Sequence, residues 1–175
     1  MDAWHRILAT VADEFSDLPD AETFTRVVVR LVLAALLGAL VGLERELAGK
    51  PAGLRTHMLV ALGAALFVLI PLQAGVDLDG ITRVIQGLLA GVGFLCAGAI
   101  LKGVTEDEVH GLTTAASLWM TSAIGLGVGL GRDTTAVLST LLVLGILRLE
   151  GPLKRWVEQR RGGRRIAVPD RREGD

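Results

Sequence analysis

Five long apolar stretches, separated by short polar segments, dominate the pattern of hydrophobic and polar positions along this chain. They cover residues 27–43, 58–75, 81–101, 113–131 and 134–149, and several are apolar all round rather than along one helix face. A helix of a soluble protein keeps a polar face at a period of about 3.6 residues. A transmembrane helix needs about 17–25 mostly apolar residues to cross a hydrocarbon core of about 30 Å. The pattern therefore predicts an all-α, polytopic membrane protein with five transmembrane helices.

The signs of the charges outside these stretches predict how the protein is oriented. Residues 1–26 contain six acidic and two basic side chains, whereas residues 151–165 contain six basic side chains and one acidic side chain. Lysine and arginine accumulate on the cytoplasmic side of membrane proteins. We therefore expect the N-terminus outside, the C-terminus in the cytoplasm, and the connections 44–57 and 102–112 on the cytoplasmic side.

The same pattern predicts the domain organisation. Residues 27–150 are expected to form one transmembrane domain between an extracytoplasmic leader, residues 1–26, and a basic cytoplasmic tail, residues 151–175. Apolar residues recur at helical spacing in the leader, which fits either a short amphipathic helix on the outer face or a weakly ordered segment. The tail is expected to lie on anionic lipid headgroups and not to bind nucleic acid. The single cysteine, Cys96, excludes a disulfide within the chain and a thiol metal cluster.

Small residues recur at the spacing used for helix packing in membranes. Because lipid gives helices no hydrophobic reason to associate, close backbone approach through small residues supplies much of the attraction. We interpret the pattern as packing within one copy of the chain, with the face of a homo-oligomer as the alternative. The predicted packing positions are Gly38, Gly42, Gly87, Gly91, Gly93, Gly98, Gly125 and Gly129.

Two arginines lie inside apolar stretches near the predicted outer side. Arg30 is about one turn into the first stretch, and Arg83 has a similar place in the third. A charge within a span is costly unless it is paired, hydrated or able to reach the headgroups. Both side chains are expected to extend to outer-leaflet phosphates, and the alternative is a buried pairing or an external vestibule.

The predicted topology gathers polar residues from four helix ends at the cytoplasmic face. Helix N-termini expose free N–H groups and partial positive charge, so the starts of the second and fourth spans could hold an anion or a carboxylate. Glu44 and Arg55 are the expected ion pair. The gathered residues are Glu44, Arg45, Glu46, Arg55, Thr56, His57, Lys102, His110, Thr113, Thr114 and Ser117.

Several roles for this group of residues remain open from the sequence. Glu44 and Glu46 could bind Mg²⁺, which needs only one or two carboxylates because it keeps several waters. His57 and His110 could titrate near neutral pH. The group could also be a structural staple or a docking surface for another membrane protein. No carboxylate and histidine lie near a clear nucleophile, so we expect no enzymatic activity and no cofactor other than Mg²⁺.

Three segments resemble the MgtC/SapB family of bacterial inner-membrane proteins. They are residues 42–67, 91–102 and 111–131, which occur in the order that the family shows. The resemblance covers about residues 26–150 and implies five spans with a cytoplasmic C-terminus. It assigns motif positions to Glu44, Arg45, Glu46, Pro51, Gly53, Arg55, Thr56, His57, Gly93, Phe94, Gly98, Gly111, Leu112, Thr113, Thr114 and Trp119.

The resemblance implies a role in magnesium homeostasis or in adaptation to low magnesium and other stress. Two activities are consistent with it: transport or binding of Mg²⁺ through the polar cluster, or regulation of another membrane protein by docking. The chain departs from the family at Cys96, where glycine is usual, and at His110, where arginine is common. Many members also carry a soluble cytoplasmic domain after the last span, and a function housed there cannot be transferred to this chain.

Overall fold

The computed structural model describes residues 3–14, 16, 20–102 and 109–149. Within these residues the chain is helical apart from one pair of two-residue strands, and this confirms the predicted all-α class. These two strands pair antiparallel, with Leu101 opposite His110 and Lys102 opposite Val109. The elements are α1 (Ala3–Glu14), α2 (Ala21–Leu47), α3 (Leu54–Gln73), α4 (Leu78–Ala99), β1 (Leu101–Lys102), β2 (Val109–His110), α5 (Leu112–Gly129) and α6 (Asp133–Arg148).

Four of the described helices, α2 to α5, are long and apolar enough to cross a membrane. They contain 27, 20, 22 and 18 residues, so the chain is a helical membrane protein. Helix α6 has 16 residues, a length of about 24 Å at 1.5 Å per residue. It matches the predicted fifth stretch in position but is shorter than the other four.

Helix α2 begins six residues before the predicted start of the first span. Asp20 explains the earlier start, because its carboxylate accepts hydrogen bonds from the Thr23 main-chain N–H at 2.7 Å and from the Thr23 hydroxyl at 3.0 Å. An aspartate at this position satisfies a main-chain donor that a helix start leaves unpaired. The same hydrogen bond from the main chain is the largest cause of the lowered pKa of Asp20. The polar residues that follow, including Glu22 and Arg26, therefore belong to the helix.

Helix α3 lies between α2 and α5, and glycines allow the close approach on both sides. A methyl group added at Gly38 of α2 would lie 2.6 Å from the His57 carbonyl oxygen, and one at Gly42 would lie 2.7 Å from the Leu54 Cα. On the other side, a methyl group at Gly129 of α5 would lie 2.7 Å from the Ala65 carbonyl oxygen, and Gly125 meets the main chain of α3 in the same way. The three helices therefore pack backbone against backbone.

The glycines of α4 have a different environment from those of α2 and α5. A methyl group added at Gly87, Gly91, Gly93 or Gly98 would meet no atom within 4 Å. Phe94, among these glycines, is 82% exposed. Helix α4 is held to α5 partly by Cys96, whose thiol donates to the Ala115 carbonyl at 3.2 Å. One face of α4 is consequently uncovered in a single copy of the chain.

The apolar core lies where α6 packs against α2 and α5. Its buried members are Ala34, Leu37, Val41, Ala65, Ile124, Val128, Ala136, Val143 and Leu147. Helix α1 takes no part in it, since all its residues are exposed. Its apolar side chains Trp4, Ile7, Leu8 and Val11 are each at least half exposed, and the location of this helix on the outer face stays a prediction. Phe15 and the basic tail 151–175 lie outside the described residues.

Candidate functional site at the polar end of the bundle

Four helix ends lie together at one end of the bundle, which we call the polar end. Here α2 ends, α3 begins, α4 ends and α5 begins. The contact of Gly42 with Leu54 joins the first two ends, and the Cys96–Ala115 hydrogen bond joins the other two. A hydrogen bond between His57 and Ser117 connects α3 to α5. The convergence of helix ends predicted from the sequence is therefore present.

Arg45 is fully buried in this region and bonds to the residue before it. Its Nε donates to Glu44 Oε2 at 2.5 Å, and its Nη2 donates to Glu44 Oε1 at 2.8 Å. The Glu44 side chain is 15% exposed. A buried guanidinium requires a nearby negative charge, because an unpaired charge away from water is very costly. The expected pair between Glu44 and Arg55 is wrong: Arg55 is exposed, and the adjacent Arg45 takes both carboxylate oxygens.

Glu46 connects the end of α2 to the start of α3. Its Oε2 accepts a hydrogen bond from the Leu54 main-chain N–H at 2.9 Å. The residue before Leu54 is Gly53, which has no side chain with which to cap the helix. The first N–H groups of a helix need acceptors, and they attract negative charge. Glu46 supplies the carboxylate that the sequence analysis expected at this helix start.

His57 is completely buried and bridges α3 to α5. Its Nδ1 lies 2.9 Å from the Gly53 carbonyl oxygen, and its Nε2 lies 3.1 Å from the Ser117 Oγ. The Ser117 hydroxyl in turn lies 2.8 Å from the Thr114 carbonyl oxygen. His57 therefore links the first turn of α3 to α5 through the Ser117 hydroxyl.

A count of hydrogens defines two states of the histidine network. A carbonyl oxygen can only accept, so His57 Nδ1 carries a hydrogen for Gly53. In the neutral imidazole, Nε2 is an acceptor, and the Ser117 hydroxyl must choose between it and the Thr114 carbonyl. In the imidazolium, Nε2 donates to Ser117, and the hydroxyl is left to donate to Thr114. All three contacts are hydrogen bonds only in the charged state.

The predicted group of residues divides into a buried network and an exposed rim. Arg45, His57, Thr114 and Ser117 are buried, and Glu44 is partly buried. Five other members are exposed, although Glu46 bonds to the start of α3, and Lys102 lies on β1. The sequence does not reveal that the Gly53 carbonyl is a partner of His57. This acceptor belongs to the main chain, and no side-chain pattern marks it. The exposed residues are Glu46, Arg55, Thr56, His110 and Thr113.

The two carboxylates that were predicted to bind Mg²⁺ each make a contact within the protein. No group of three or more histidine, cysteine, aspartate or glutamate side chains suited to a metal occurs in the part of the chain that the structure describes. Both oxygens of Glu44 accept from Arg45, and Glu46 accepts from Leu54. The two carboxylates predicted to bind Mg²⁺ thus serve two different internal contacts.

Arg30 lies at the opposite end of the bundle and makes an internal contact. Its Nη1 donates to the Gly129 carbonyl at 3.2 Å. It also lines a cleft of about 470 Å³ together with Glu22, Arg26 and Asp133. Gly131, at φ 72°, lies so close to the guanidinium that a side chain there would overlap it. The structure therefore agrees with the pairing and vestibule interpretation of Arg30 and not with extension to the headgroups.

The fold and the site define a class of protein. It is a helical membrane protein with closely packed glycine-rich helices, and one end of its bundle holds a Glu–Arg ion pair and a buried histidine. The MgtC family model matches residues 31–156. The chain belongs to the MgtC family, and the resemblance found in its motifs is confirmed.

Curated relatives support the same assignment. The chain is 44% identical over 126 residues to protein SrpB of Synechococcus elongatus, a match that covers 66% of this chain and 69% of the relative. It is 38% identical over 129 residues to "Putative magnesium transporter YhiD" of Escherichia coli K12, covering 70% and 59%. It is 42% identical over 117 residues to protein MgtC of Salmonella typhimurium LT2, covering 67% and 49%. The match thus spans about half to two thirds of these relatives, and no solved structure matches the chain.

Proposed function

We propose that this protein contributes to magnesium homeostasis, or to adaptation to low magnesium and other stress, from the bacterial inner membrane. We further propose that it acts by docking onto another membrane protein and does not itself carry Mg²⁺. Membership of the MgtC family supports the link to magnesium, as does the printed name of the relative YhiD. The choice of docking over transport rests on the geometry of the carboxylates and of α4.

The proposed topology has five spans, with α6 as the fifth, the N-terminus outside and the polar end in the cytoplasm. The distribution of charges in the sequence supports it. The test is cysteine labelling with a membrane-impermeant reagent in a Cys96→Ser background. Asp79→Cys should react in intact cells, and Lys102→Cys should react only after permeabilisation. Reversed accessibility would contradict the proposed orientation.

The observation that carries the docking proposal is that the two candidate carboxylates are held by two different internal contacts. Glu44 holds the buried Arg45, and Glu46 caps α3. A hydrated Mg²⁺ demands oxygen ligands and loses its water reluctantly. An apolar core, which includes Leu37, Val41 and Val143, fills the contact between α2 and α6. These apolar side chains supply no ligands to a divalent cation.

The uncovered face of α4 is the surface that we assign to the partner. The α2 and α5 glycines named above already contact α3, whereas the four α4 glycines from Gly87 to Gly98 face open space. Small residues exposed on a membrane helix allow another helix to approach closely. Phe94 projects from the same region and is 82% exposed. A partner helix, or α4 of a second copy, fits this surface.

The experiment compares two identical substitutions at exposed glycines. Gly91→Leu fills the open face of α4, and Gly145→Leu places the same side chain in open space on α6. We expect Gly91→Leu to abolish complementation of growth at low magnesium, and Gly145→Leu to preserve it, with equal amounts of folded protein in the membrane. Equal growth of the two variants would contradict docking through α4.

A transport assay separates the two activities. The purified protein is reconstituted in liposomes that contain a fluorescent Mg²⁺ indicator, and the wild type is compared with Glu44→Gln. We expect no Mg²⁺ entry above that of empty liposomes. Entry that depends on Glu44 would refute the docking proposal and establish transport.

A further inference from the structure

A second cleft, at the polar end, lies between α2 and α6 and belongs to neither the histidine network nor the face of α4. It has a volume of about 410 Å³. Leu40, Leu43 and Leu47 line it from successive turns of α2, and Leu144 lines it from α6. The three α2 leucines are 48%, 47% and 81% exposed. The cleft is therefore an apolar groove that opens to the surroundings of the bundle.

Two opposite charges accompany the leucines of this groove. Glu44 lines it from α2, and Arg148 lines it from the last turn of α6. The groove is therefore amphipathic, with charge at the level where α6 ends. Among the described residues, no ion pair involves Arg148.

The charges of the groove match a zwitterionic headgroup. An ionised carboxylate offers about four lone-pair sites, and Arg45 occupies two of those on Glu44. Glu44 can therefore accept further hydrogen bonds from an ammonium group. The Arg148 guanidinium suits a phosphate, which it can bind through two parallel N–H donors. Leu40, Leu43 and Leu144 lie on the membrane side of these charges, where an acyl chain would run.

We propose that the α2–α6 groove binds one phosphatidylethanolamine molecule. Arg148 binds its phosphate, Glu44 accepts from its ammonium group, and one acyl chain lies along Leu40, Leu43 and Leu144. All bilayer lipids have acyl chains, so the headgroup contacts set the selectivity and the leucines fix the position. This inference does not rest on the proposed function, because it holds whether the protein docks a partner or transports an ion.

Native mass spectrometry of the full chain in detergent tests the proposal. The protein is incubated with equal amounts of phosphatidylethanolamine and phosphatidylglycerol that have the same acyl chains. We expect the ethanolamine lipid to be retained several-fold more, with one molecule per chain. A hydrogen bond to a charged group contributes enough that Arg148→Ala should reduce this retention roughly tenfold. Equal retention of the two lipids, or no effect of Arg148→Ala, would overturn the proposal.

A matched pair of substitutions tests whether the lipid occupies the groove. Leu144→Trp fills the groove, whereas Leu142→Trp adds the same ring to a position on α6 that is 69% exposed and does not line it. We expect only Leu144→Trp to remove the bound lipid. Excess inorganic phosphate should leave the bound lipid in place. Loss of lipid in both variants, or displacement by phosphate alone, would overturn the assignment to this groove.

Discussion

Replacement of Ser117 by alanine is the most direct test of the histidine network. The Ser117 hydroxyl contacts His57 Nε2 at 3.1 Å and donates to the Thr114 carbonyl at 2.8 Å. Without the hydroxyl, the buried Nε2 loses the partner that the structure gives it. A buried polar group left without a hydrogen bond costs about 1–3 kcal/mol. Ser117→Ala should therefore lower the free energy of unfolding by about this amount.

Ser122 provides a control on the same helix. It is 1% exposed, and its hydroxyl has no hydrogen-bond partner among the described residues. Ser122→Ala removes the same atom from an equally buried place without breaking a contact between helices. We expect the free energy of unfolding to change by less than about 0.5 kcal/mol, as at sites without a specific interaction. The assay is unfolding of the purified protein by titration with SDS, followed by far-UV circular dichroism.

A third variant, His57→Leu, distinguishes the hydrogen bond from packing. In this variant the Gly53 carbonyl still accepts from the main-chain N–H of residue 57, and Ser117 still donates to Thr114. Ser117→Ala should therefore cost less in the His57→Leu background than in the wild type, with a coupling of about 0.5–3 kcal/mol. Additive losses in the double variant, or equal losses for Ser117→Ala and Ser122→Ala, would refute the bridge between α3 and α5.

Three further predictions concern the contacts around this network. Gly42→Ala should destabilise the protein by about 1–3 kcal/mol in the same SDS titration, because the new methyl meets main-chain atoms of α3; Gly91→Ala, in open space, should have little effect. Glu46→Ala should cost about 0.5–2 kcal/mol by removing the cap on α3, and a neutral result would show that the hydrogen bond to α3 does not contribute. Arg45→Ala should cost about 3–5 kcal/mol, since it leaves the partly buried Glu44 charge without its partner. The double change Glu44→Gln with Arg45→Met should recover much of this loss in stability. No recovery would argue against the buried pair.

The sequence predicts the membrane helices well because their apolar stretches carry the signal directly. The starts and ends of helices are harder, as α2 illustrates: its first turn is polar and is fixed by Asp20, which the hydrophobic pattern does not register. The short strands β1 and β2 were not predicted, since two residues are too few to show a period. Their connection to α5 needs Gly111, whose φ is 91°.

The sequence predicts that four helix ends lie together at the polar end, and the structure has them together. The ion pair predicted there is wrong. Opposite charges on different helices predict an ion pair between Glu44 and Arg55, yet Glu44 forms its ion pair with the neighbouring residue Arg45. Which of two arginines is buried depends on how α2 is rotated against α3, and in the observed packing Gly42 faces Leu54. A rotation of this kind is a property of the packed pair and not of either helix alone.

The position of α3 also determines which parts of the molecule can move. Its main chain touches glycines of α2 on one side and glycines of α5 on the other, and His57 bonds to α5 from its first turn. An axial step of one residue, about 1.5 Å, would bring side chains against both sets of glycines at once. We therefore expect α2, α3 and α5 to resist sliding past one another, and we expect any working motion to involve α4 first, because its glycines from Gly87 to Gly98 meet no neighbour.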